Sequence, residues 1–138
     1  MVLKLKIARA LAAIILGVSG VQGAALAACL QSDGAGSWQA YAITAEGGGA
    51  FWTRCRLSIN SVGTIATNTC TRSDGVTGSM TNGHINLVNA TRCTFTGSFN
   101  LGGALNTIRH STLSRDKISV EGVGTFPGGI FSFNLTKL

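Results

Sequence analysis

Residues 51–72, FWTRCRLSINSVGTIATNTCTR, decide how this chain folds. From Phe51 to Asn60 the side chains alternate, with Cys55, Leu57 and Ile59 on one face and Arg54, Arg56 and Ser58 on the other. A period of two is what a strand with one buried face requires. Ser61-Val62-Gly63-Thr64 carries turn chemistry, and Ile65 to Arg72 reads as the returning strand. Two constraints then compete for the register of this hairpin. A two-residue turn at Val62-Gly63 sets Cys55 directly opposite Cys70, whereas a three-residue loop pairs Ile59 with Ile65 and leaves Cys70 one place out. A bulge near Asn68-Thr69 satisfies both, because one extra residue shifts the register by one.

The same grammar extends in both directions. Trp38 to Thr44 reads as the first strand, followed by a flexible Glu46-Gly47-Gly48-Gly49. After the turn Ser73-Asp74-Gly75 comes Val76 to Thr81, and Asn82-Gly83 predicts a two-residue hairpin into His84–Val88, since both residues tolerate positive φ. Arg92 to Phe99 puts Cys93, Phe95, Gly97 and Phe99 on one face; Gly102-Gly103 turns into Ala104–Leu113, and Arg115-Asp116 into Ile118–Phe126. Pro127-Gly128-Gly129 closes a last hairpin with Ile130 to Leu138. Pairing Phe126 with Phe131 there sets Gly124 opposite Phe133 and Gly122 opposite Leu135, so that the sheet can curve tightly around the large side chains. The expectation is an all-β, antiparallel meander of roughly eight to nine short strands, closed or nearly closed into a small barrel. A β-sandwich is the alternative.

The first 27 residues stand apart. Lys4, Lys6 and Arg9 precede the apolar run Ala10 to Val18, and Ala25-Leu26-Ala27 has the small-residue form of a signal-peptidase site. The run is too short for a membrane-spanning helix, which needs about 20 apolar residues. The segment reads as a secretion signal and 28–138 as one glycine-rich domain, exported to the periplasm, the cell surface or the medium. The chain carries 11 basic and 5 acidic residues, a net charge of +6. Three of the basic residues lie in the signal, which leaves eight against five and a net +3. Arg54, Arg56, Arg72, Arg92 and Arg109 are scattered, so nothing resembles the dense basic surface of a nucleic-acid binder.

Four cysteines, Cys29, Cys55, Cys70 and Cys93, suit an exported domain held by disulfides. Their wide spacing disfavours zinc. Register nominates Cys55–Cys70, a loop of about 15 residues whose closure is worth about 3 kcal/mol. The remaining two face a choice. Leu26-Ala27-Ala28-Cys29 resembles the lipobox of bacterial lipoproteins, and an acylated Cys29 would anchor the protein to a membrane and leave Cys93 unpaired. Pairing Cys29 with Cys93 uses every thiol and is the favoured expectation.

Chemistry is hard to find in this sequence. The histidines after the signal are His84 and His110, and the carboxylates are Asp33, Glu46, Asp74, Asp116 and Glu121. There is no G-x-S-x-G, and Asp74 and Asp116 sit in turns where an Asp bonds its own backbone. No catalytic residue, cofactor site or metal site is nominated, and an enzyme would require His84 or His110 to converge with a carboxylate in a cleft. Gly36-Ser37-Trp38 at the head of the first strand resembles the G-x-W that opens lipocalin- and avidin-type barrels. The resemblance implies an up-and-down barrel with Trp38 at its closed end, a basic residue of the last strand (here Lys137) across it, and an interior that takes an apolar ligand.

Two functions follow as expectations. One is a non-catalytic structural or interaction domain, contacting another protein through a β surface or an exposed strand edge. The other is a small carrier whose cavity is lined by Trp38, Phe95 and Phe133. A membrane enters only through a lipid on Cys29.

Overall fold

The structure is a computed structural model that describes residues 27–138, so the signal segment lies almost wholly outside the described residues. A single 3-10 turn, Gln31–Gly34, precedes nine strands: β1 (Gly36–Glu46), β2 (Gly49–Ile59), β3 (Thr64–Ile65), β4 (Asn68–Arg72), β5 (Thr77–Asn89), β6 (Thr94–Leu101), β7 (Ala104–Leu113), β8 (Ser119–Phe126) and β9 (Gly129–Lys137). All pairings are antiparallel, and the last strand pairs with the first from Trp38↔Lys137 to Ala45↔Ile130. The sheet therefore closes into a barrel of eight positions, with β3 and β4 sharing one place between β2 and β5. A sandwich is ruled out by that closure. No free edge strand remains for an interaction domain to use among the described residues: every described strand has a neighbouring strand on both sides along part of its length, and closure abolishes edges.

The hairpin that decided the fold keeps both of its competing pairs. Ile59 pairs with Ile65 and Cys55 with Cys70. The odd residue is absorbed at Ala66-Thr67, just ahead of the expected Asn68-Thr69, and this splits the returning strand into β3 and β4. Burying Ile65 and Cys70 on the same inner face is what forces the break.

Three other expectations are corrected. Asn82-Gly83 is not a hairpin but a bulge inside the 13-residue β5. Thr81 pairs with Asn100 and His84 with Ser98, so two residues of β5 oppose the single Phe99. Asn82 does adopt φ 51°, but turns and bulges share that need, and β6 offers unbroken pairing on both sides. Cys93 is not on a strand; it sits in the turn before β6 with φ 54°. Finally, Phe126 pairs with Gly129 rather than Phe131, because Pro127-Gly128 makes a tighter turn. The two-residue shift preserves the faces: Gly124 lies opposite Phe131 and Gly122 opposite Phe133. A Cβ on either glycine would collide with the phenyl ring across from it.

Alternation then fills the interior. Trp38 and Ala40 of β1, Cys55, Leu57 and Ile59 of β2, Met80 of β5, Phe95 of β6, Leu113 of β7 and Leu135 of β9 belong to one buried cluster. On β7 a bulge at Arg109, seen against both neighbours, breaks the alternation. Ile108 points inward, Arg109 and His110 are both exposed, and Ser111 and Leu113 point inward again.

Candidate functional site

The interior of the barrel holds an apolar cavity of about 100 Å³. Its floor is built by the N-terminal plug. Trp38 is fully buried, its indole N–H donates to the Gly34 carbonyl at 3.0 Å, and the Lys137 ammonium stands 5.1 Å from the ring centroid. The direct pairing of Trp38 with Lys137 across β1 and β9 brings the half-buried cation there, and a cation–π contact of this kind is worth about 1 kcal/mol. Gly34 faces the cavity so closely that a Cβ would meet Ile85 Cδ1 at 2.9 Å.

The plug is fastened by three devices. Cys29 bonds to Cys93, with Cα atoms 5.3 Å apart, and its own N–H donates to the Ala90 carbonyl at 2.8 Å. Asp33 accepts the Leu30 N–H at 2.8 Å and the Lys117 ammonium at 2.9 Å, and these two partners hold its carboxyl below the usual carboxylate range. Gln31 is the third. Two-residue β3 leaves β5 without a strand partner beyond His84; the Gly63 carbonyl accepts the Ile85 N–H at 2.9 Å, and the Gln31 amide takes the next place. It donates to the Ile85 carbonyl at 3.0 Å and accepts the Leu87 N–H at 2.7 Å. A side-chain amide has the donor and acceptor of a peptide group, so it extends the ladder by one rung.

At the opposite end the strands are joined only by the short turns around Gly47-Gly48, Asp74-Gly75, Gly102-Gly103 and Pro127-Gly128. Among the described residues no segment folds across the interior there, in contrast to the plugged end, and we call this end the mouth. The walls include all three aromatics expected from the sequence, Trp38, Phe95 and Phe133, together with Phe99 and Phe131, whose ring centroids lie 6.0 Å apart. The Cys55–Cys70 disulfide joins neighbouring strands of the barrel, and Cys55 is part of the cavity wall.

The lining has a polarity gradient. Toward the floor it is Trp38, Leu57, Ile59, Ile65, Leu113 and Leu135; toward the mouth Thr44, Thr53 and Asn106 join it. None of the lining residues is ionisable. Buried Ser111 donates its hydroxyl to the Phe95 carbonyl at 3.0 Å, and the Asn106 amide nitrogen donates to Ala104 at 2.9 Å. Thr53 and Asn106 were legible as inward positions, sharing the parity of Cys55 and Ile108, but polar character obscured their role. Gln31 had no signal at all, because its partners lie 54 and 56 residues away.

The titratable residues gather elsewhere. His84 is bonded to Asn86 at 2.8 Å on the surface. The β7 bulge turns His110 outward to an open groove across β7, β8, β9 and β1, where Tyr41, Thr112, Glu121, Ser132 and Asn134 also lie. His110 is opposite Val123 and Glu121 opposite Thr112, two places apart in register, and the imidazole is bonded to Thr112 at 3.3 Å. Asp74 is clasped by Arg72, which lowers its pKa, and the Arg72 guanidinium also lies 4.4 Å from the Phe51 ring centroid. Among the described residues no three His, Cys, Asp or Glu side chains come together as a metal site. The chain matches no protein-family profile, no curated protein and no solved structure.

Proposed function

We propose that this is an exported, non-catalytic binding protein that holds a small apolar ligand inside its barrel. The carrying observation is the cavity itself: an apolar space of about 100 Å³ in a barrel whose lining contains no charged group. A space of this kind stays dry, and an engineered apolar cavity only half as large again, about 150 Å³, takes up benzene or xenon. The plugged floor and the plain mouth favour entry from one end. The signal-like N-terminus and the two disulfides support an oxidising compartment outside the cytoplasm. Titration with xenon or benzene, followed by NMR of the interior methyl groups of Leu57, Ile59 and Leu113, tests this. Saturable shifts confined to those groups are expected. An interior that stays unperturbed while the fold is intact would refute it.

A second reading, an interaction domain working through its surface, is favoured by one observation. The outer groove brings Tyr41, Glu121, Ser132 and Asn134 together, with exposed Trp52 beside Tyr41 at 6.5 Å between ring centroids. Location has its own test, because a disulfide and a lipid thioether compete for the one sulfur of Cys29. The intact mass of the native protein, before and after reduction and alkylation, distinguishes a soluble chain with four masked thiols from an acylated one starting at Cys29.

A further inference from the structure

Resting on the binding reading above, we infer that the cavity selects an uncharged amphiphile: a short apolar body with one neutral polar head, seated with its head toward the mouth. The juxtaposition behind this is a floor of hydrocarbon and indole, where the Ser111 hydroxyl is already given to the Phe95 carbonyl, walls with no ionisable group, and the hydroxyl and amide groups of Thr44, Thr53 and Asn106 in the mouth half.

Thr44 and Thr53 are diagonal neighbours, since Thr44 pairs with Phe51 and Ala42 with Thr53, and both line the cavity. Asn106 stands on the wall opposite Thr53, four strand positions away in either direction around the barrel. The Thr44 hydroxyl donates to the Phe51 carbonyl, and the Asn106 Nδ2 donates to Ala104. What remains to offer a ligand is the Thr53 hydroxyl, as donor or acceptor, and the acceptor oxygens of Asn106 and Thr44. An alcohol or an amide matches that set, because such a head both donates and accepts.

A carboxylate or an ammonium does not match it. Such a head would enter a low-dielectric space without a counter-charge, which is the costliest kind of burial. Of the charged side chains at the mouth end, Arg72 is already engaged by Asp74, and neither it nor Glu46 lines the cavity. At the far end Lys137 lies over the Trp38 ring, next to Gly36 at the head of β1. Lys137 is not part of the cavity lining. The cavity is therefore electrostatically neutral by construction, and it discriminates by head charge as well as by size.

The test is a shape-matched series, 1-pentanol, 1-chloropentane, pentanoate and pentylammonium, titrated into the disulfide-bonded domain and followed by the Trp38 indole N–H resonance at the cavity floor. The expected result is saturable binding of the alcohol and the chloride, with the alcohol tighter by about 2- to 10-fold, the range of one net hydrogen bond. Neither ion produces a saturable shift at tenfold higher concentration. In the Thr53→Val, Asn106→Leu double variant the alcohol loses its advantage while 1-chloropentane still binds, which also reports that the variant is folded. Equal binding of the alcohol and the chloride in the parent would overturn the head assignment and leave apolar binding standing. Binding of pentanoate or pentylammonium as tight as 1-pentanol would overturn the neutrality rule. If no member binds, the binding function itself fails.

Discussion

Gln31→Ala is the substitution that most directly probes how this barrel is completed. The side chain makes no contact that hydrophobicity would predict, yet it satisfies two groups of β5 that β3 is too short to reach, the Ile85 carbonyl at 3.0 Å and the Leu87 N–H at 2.7 Å. A buried backbone group left unpaired costs about 1–3 kcal/mol. Gln31 is only half-buried, so water relieves part of that cost. We expect a loss of about 2–3 kcal/mol for the pair. In a domain of this size each kcal/mol moves the midpoint by about 4 °C, which makes the expected fall roughly 8–12 °C. Urea unfolding followed by tryptophan fluorescence gives the free energy directly, with Trp38 reporting on the plug. Gln31→Met is the decisive control, because it fills the same space and restores neither bond. Matched losses in the two variants are expected. Recovery of parental stability by Met, or a loss in Ala below about 0.5 kcal/mol, would refute the ladder-completing role.

The remaining predictions are simpler. Gly124→Val should cost about 3 kcal/mol or abolish folding, since its Cβ would strike the Phe131 ring and the Thr107 carbonyl; soluble yield and melting temperature check this, and normal folding would mean that Phe131 can move aside. Replacing Cys55 and Cys70 together with serine should cost about 3 kcal/mol, and replacing Cys29 and Cys93 about 4, as expected for loops of 15 and 64 residues; urea melts of the two double variants give the order. Asp33 has a lowered pKa in the folded state, so its contribution is present above its unfolded value near 3.8 and is lost as pH falls through the folded value. Asp33→Asn should therefore flatten the acid limb of a stability–pH curve below about pH 4 and leave its slope near neutrality unchanged.

Much of the architecture could be read from particular residues. Alternation along Phe51–Asn60 announced which side of β2 faces inward, and Cys55, Leu57 and Ile59 are buried there. The conflict between pairing Ile59 with Ile65 and Cys55 with Cys70 already contained the break between β3 and β4. The site was legible only in part. Trp38, Phe95 and Phe133, named with the carrier expectation, lie in the cavity wall. Thr53, Asn106 and Gln31 were invisible as site residues, since polar side chains on strands and in turns usually meet solvent. Strand periodicity did not reveal the extra residue at Arg109, which puts both Arg109 and His110 on the outer face.

Period-two patterning, turn chemistry and an even cysteine count are local properties, and through them the sequence by itself determined an antiparallel β domain and the inward parity of most strands, and nominated the disulfide partners that the structure shows. Tertiary structure alone decided how that meander ends: β9 returns to β1, β5 runs straight through Asn82-Gly83, and a glutamine 54 residues upstream closes the gap beside β3. The physical reason is that a strand's pattern records which face is buried but not who lies beside it. Neighbours are chosen by competition among all the strands for paired backbone groups, and an Asn-Gly step yields a turn or a bulge according to which outcome leaves fewer of those groups unpaired.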